Sequence, residues 1–133
     1  MGHFPDHWTP DSFGIDLLTA QELRDMLAAD ETLHFVFEAQ IKRTRARFAL
    51  ELLSRGIPNF TGHVYVVITD RSLLLVDVAR QLFGGDRLLY GDYPLPSTFG
   101  EVTGRGWIVL AGRRVFVPGG RKVIERAEAA LRP

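Results

Sequence analysis

The chain has no cysteine. That excludes a disulfide framework, a thiolate metal site and a cysteine nucleophile. It is almost without lysine: fourteen of its sixteen basic residues are arginine, which fits a GC-rich coding background as well as a selected chemistry. No apolar run approaches the ~20 residues needed to cross a bilayer. The first residues, Met1-Gly2-His3-Phe4-Pro5-Asp6, lack a basic stretch leading into an apolar block, so no secretory signal is expected. Asp6 does not fit a myristoylation signal. The expected location is the cytoplasm. Gly-x-Ser-x-Gly and P-loop spacings are missing, no carboxylate pair stands out, and Ser54, Ser72 and Ser97 have no evident base partner. The expectation is a protein that is not an enzyme and has no cofactor, no resident metal and no nucleic-acid partner.

What is present suits one domain with its own core: 133 residues, 46% of them apolar. Formal net charge is zero, yet the charges are segregated. Residues 1–38 carry eight acids against one base, and residues 39–133 carry fifteen bases against eight acids. An acidic first segment of this kind suits a basic surface on its own chain or on a neighbouring copy.

Residues 1–18 are rich in proline, aspartate, glycine and aromatics and read as an irregular arm. Thr19-Ala20-Gln21-Glu22 is a capping box, and Leu23, Met26 and Leu27 follow at helical spacing, predicting a short helix over 20–29. A first strand is predicted over 32–39. Phe48, Leu52 and Arg55 share one side of a predicted helix that ends at Gly56, an insertion over 41–56. Two β-branched or leucine-rich runs, 64–68 and 73–78, flank Thr69-Asp70-Arg71-Ser72, a break short enough only for a tight reversal. This hairpin is apolar on both faces. Further strands are predicted over 87–93, 98–103, 107–111 and 114–117, and a closing helix over 121–131. Seven short antiparallel strands suggest a sandwich or a partly closed barrel. The organisation expected is an acidic arm and short helix (1–31) and a body (32–133).

Val67-Ile68-Thr69-Asp70-Arg71-Ser72-Leu73-Leu74-Leu75-Val76 resembles the V-x-T-D-R-R-L-L-L-V hairpin of bacterial pleckstrin-homology-like (PH-like) domains. Phe83-Gly84-Gly85, Tyr93-Pro94 and the stretch 107–117 follow in that family's order. Ser72 stands where the family usually has a second arginine, and the insertion and the acidic arm lie outside the pattern. The resemblance implies a mainly β (α+β) fold: a seven-stranded, partly closed PH-like barrel capped by a C-terminal helix. It also implies a binding module, with protein–protein interaction or self-assembly as its work.

Several residues are candidates for that binding. Phe4, Trp8 and Phe13 in the arm, and Phe48, Leu52 and Arg55 in the insertion, are candidate interface residues, and a small part of a phage or secretion assembly is one form this would take. Lys42, Arg43, Arg45 and Arg47 put four cations in six residues after the first strand, a candidate site for a phosphate or an anionic membrane surface. Helical spacing would spread those four around the helix. Pro118-Gly119-Gly120-Arg121-Lys122 places glycines and cations at a helix start, where free N–H groups favour anions. His3 and His7 are four apart, but Pro5 between them argues against a helical metal pair.

Overall fold

The computed structural model describes residues 2–41, 63–78, 89–110 and 112–132. Among these, a 3-10 turn (Pro10–Phe13) and α1 (Leu17–Asp25) precede β1 (Leu33–Ile41), β2 (His63–Thr69) and β3 (Ser72–Asp77). They are followed by β4 (Leu89–Pro94), β5 (Trp107–Leu110), β6 (Arg113–Phe116) and α2 (Gly120–Leu131). All pairings are antiparallel, in the order β4-β3-β2-β1-β6-β5. The result is a mainly β fold, a curled half-barrel with a helix at each end of the chain.

The hairpin is apolar on both faces because both faces are covered. Val64, Val66, Ile68, Leu73 and Leu75 face one core, closed by α2 through Ile124, Ala127 and Leu131. Val67, Leu74 and Val76 face a second core, closed by α1 through Ala20 and Leu23 and by Ile15 of the arm. Strand alternation sends successive side chains to opposite layers. In β1 a bulge at His34 breaks the period, so Leu33 and Val36 both reach the second core although they stand three positions apart.

Three expectations need correction. The described sheet has six strands, not seven. Residues 98–103 are not a strand: Gly100 takes φ 70°, and only Thr103 bridges to Trp107. Phe99 turns into the first core while its N–H donates to Glu128 Oε1 of α2 at 2.9 Å. Finally, α1 starts earlier than the capping box implies. Asp16 is the cap, its Oδ1 accepting from Thr19 N at 2.6 Å, and Thr19 is buried inside the helix.

One glycine is required by close approach. Gly106 sits at φ 158°, and a Cβ there would lie 2.7 Å from the Val117 carbonyl oxygen. Its own carbonyl accepts from Val117 N at 2.8 Å, tying the start of β5 to the end of β6.

Candidate functional site

A groove of about 360 Å³ runs along β1 between the arm and the first turns of α2. Strand parity explains why it exists. Val78 N donates to His63 O at 3.3 Å, and these residues are opposite in the β2–β3 register. Bonding groups alternate along an antiparallel strand. Odd-numbered β2 residues therefore bond to β3, and even-numbered ones bond to β1 at Phe35, Phe37 and Ala39. Val36, Glu38 and Gln40 consequently turn their main-chain N–H and C=O the other way.

Gln40 meets Phe116 of β6. The same register would place Glu38 opposite Pro118, which has no N–H, and the chain then winds into α2. At the other end, Leu33 N donates to His3 O at 2.9 Å and His3 N donates to Glu31 O at 2.8 Å. Between these contacts, residues 34–38 have no strand neighbour on the groove side among the described residues.

The arm covers this edge with side chains. Phe13 packs edge-on against Phe35 at 5.6 Å and touches both cores. Arg126 of α2 donates to Ser12 O at 3.1 Å and lays its guanidinium 5.3 Å from the Phe35 ring centroid. Val36 is 1% exposed beneath this cover, while Asp11 and Glu38 stand in solvent at the mouth. The Glu38 carboxylate also lies 3.3 Å from His63 Nδ1 of β2.

A polar clamp holds the arm and α1 in place. Glu31 is buried; its Oε2 accepts from Thr69 Oγ1 at 2.7 Å and Ser72 Oγ at 3.2 Å, and its Oε1 from Ala28 N at 3.1 Å. Thr32 and Asp70 exchange two bonds: Thr32 N to Asp70 Oδ1 and Asp70 N to Thr32 O, both 3.0 Å. Arg71 pairs with Asp30. Each residue of the reversal Thr69-Asp70-Arg71-Ser72 thus grips the segment 30–32, and Ser72 serves as a donor to Glu31. The hydrogen bond from Arg71 holds the Asp30 carboxyl below its ordinary value, aided by a backbone bond and opposed by desolvation.

A carboxyl lowered in the folded state stabilises it above the ordinary carboxylate pKa, about 4, and that contribution is lost as pH falls through the lowered value. Asp30→Asn is therefore expected to reduce the loss of stability between pH 5 and pH 2, read from urea melts. An unchanged pH dependence would show that the pair contributes nothing.

The residues singled out from the sequence fall in several places. Phe4 and Trp8 stack on each other at 3.8 Å and pack half-buried against the second core, with Arg24 over the Phe4 ring at 5.2 Å. Phe13 forms part of the groove wall. Lys42, Arg43, Arg45, Arg47, Phe48, Leu52 and Arg55, and with them the insertion over 41–56 beyond Ile41, lie outside the described residues. Arg121, read as a possible anion ligand, donates to Val102 O at 3.2 Å and Gly104 O at 3.3 Å. Among the described residues no three histidine, aspartate or glutamate side chains cluster as metal ligands, and no helix is long and apolar enough to cross a membrane. Sequence reading missed Asp11, Ser12, Val36, Pro118, Val123 and Arg126 as groove residues. The one local signal was Pro118, a strand breaker whose effect falls on β1.

No protein-family model, no curated protein and no solved structure matches this chain.

Proposed function

We propose that the chain is a non-enzymatic binding module of the PH-like kind, holding a protein partner or a second copy of itself in the groove between the arm and α2. The observation that carries this reading is the interrupted edge of β1, which ends in a roofed, solvent-accessible groove with an apolar wall. Such concave sites are the default places for ligands to bind. The hydroxyl of the groove's serine, Ser12, lies 2.7 Å from Thr9 Oγ1, a pairing that serves the arm and does not activate a nucleophile. The hairpin resemblance and the closing helix support the same class.

Ser12 is exposed at the groove, so Ser12→Trp fills it without touching a core. The expected result is an unchanged melting temperature together with loss of self-association in light scattering, or of the partner captured by the immobilised wild type. Equal mass and equal capture by the two proteins would remove the groove from the function.

A further inference from the structure

We infer that the groove-side edge of β1 is a strand-addition site for an extended basic peptide segment of a partner protein, and that the strap of residues 9–14 holds it shut. This rests on the groove reading above and gives the groove its occupant.

The first support is the chemistry of the edge. Val36 and Glu38 direct main-chain donors and acceptors into the groove, β6 leaves the ladder at Pro118, and His3 rejoins it only at Leu33. A short strand bonded at Val36 and Glu38 would complete the sheet between those two neighbours. Among the described residues the strap makes no backbone hydrogen bond to residues 34–38, and Val36 is buried. A buried main-chain group left unpaired costs about 1–3 kcal/mol. The strap therefore lies over this edge without pairing with it, and a true strand would pair with it.

The second support is how the strap is held. Its own backbone bonds are internal: Ser12 N to Thr9 O, Gly14 N to Asp11 O and Ile15 N to Pro10 O. It is tied across the groove by the Phe13–Phe35 contact and by Arg126 to Ser12 O. Opening it breaks the Arg126 tie and lifts Phe13 from the two cores, but breaks no ladder.

The third support is charge. Asp11 and Glu38 are exposed at the mouth, two carboxylates against the one guanidinium of Arg126 among the groove-lining residues. The whole segment 1–38 carries eight acids against one base. Opposite charges across paired strands are favourable and like charges are not, so an extended segment with basic residues fits and an acidic one is repelled.

Affinity in strand addition comes from main-chain hydrogen bonds, which makes backbone methylation the deciding control. The probe is a fluorescent Arg-Val-Arg-Val-Arg-Val peptide, compared with the same peptide N-methylated on alternate amides in either phase and with Glu-Val-Glu-Val-Glu-Val. Anisotropy is measured on the full chain, on Phe13→Ala and on Arg126→Gln. The latter loosens the strap without altering a buried side chain. Both variants are expected to bind the basic peptide about fivefold tighter than the wild type, because a larger fraction is open. At least one methylated form and the acidic peptide should bind about tenfold more weakly, and the peptide should slow amide exchange at Val36 and Glu38.

Equal binding of all the peptides, or no tightening in a folded Arg126→Gln protein, overturns the inference. If no peptide binds but Ser12→Trp still abolishes self-association or capture, strand addition is wrong and the groove reading stands. If Ser12→Trp also changes nothing, both fall.

Discussion

Removing residues 2–16 is expected to lower the melting temperature by about 15–20 °C and to turn a monodisperse protein into one that aggregates on standing. The arm was set apart in the sequence by its composition, yet it supplies one wall of the second core. Ile15 is 8% exposed, and Phe4, Trp8 and Phe13 pack against Leu33, Val36, Val67, Leu74 and Val76 or their neighbours. Full burial of a large apolar side chain is worth about 1.5–3 kcal/mol. One buried isoleucine and three half-buried aromatics therefore contribute about 5 kcal/mol. Natural domains are stable by only about 5–15 kcal/mol. The deletion also uncovers the β1 edge at residues 34–38, and an open strand edge beside an apolar face promotes pairing between chains. Thermal circular dichroism and light scattering measure both effects. A truncated protein that melts within 3 °C of the full chain and stays monodisperse would show that the arm is an appendage.

The second large effect is expected at Glu31. Replacing it with alanine removes the acceptor for Thr69 Oγ1, Ser72 Oγ and Ala28 N at once, in a place where Thr69 is fully buried. Thr69 Oγ1 has the Ser72 carbonyl 3.2 Å away as a substitute, so one of the three losses is partly recovered. The Ser72 hydroxyl and the Ala28 N–H lose a charged acceptor, and Glu31→Ala should cost about 2–4 kcal/mol in urea unfolding. Glu31→Gln keeps an acceptor oxygen and should cost less. A cycle with Thr69→Val should show a coupling of more than about 1 kcal/mol between the two positions. Additive losses would mean that Glu31 acts by filling space and not by gripping the turn.

The hairpin was legible in the sequence because its signal is local: β-branched residues on both sides of a four-residue break. Its double burial was legible for the same reason, since neither face has a polar period. The start of α1 was misread because two cap signals stand three residues apart. Thr19 has the capping-box spacing, but its place on the buried face of the helix gives the cap to Asp16. Residues 98–103 have strand-forming side chains, and their path is set instead by tertiary ties: Phe99 to the first core, its N–H to Glu128, and the Val102 carbonyl to Arg121. The groove was not legible at all. It joins residues 11–14, 35–38 and 118–126, three stretches that no local pattern connects, and it depends on a register in which Pro118 falls opposite Glu38.

The clamp across residues 30–32 and 69–72 also sets an order for biosynthesis. The acidic segment and α1 emerge from the ribosome well before Asp77 completes the hairpin that they pack against. At about 5–20 residues per second, the aromatic arm waits for several seconds with Phe4, Trp8 and Phe13 unsheltered. Until the turn at Asp70 arrives, Asp30, Glu31 and Thr32 are without the partners that the clamp gives them.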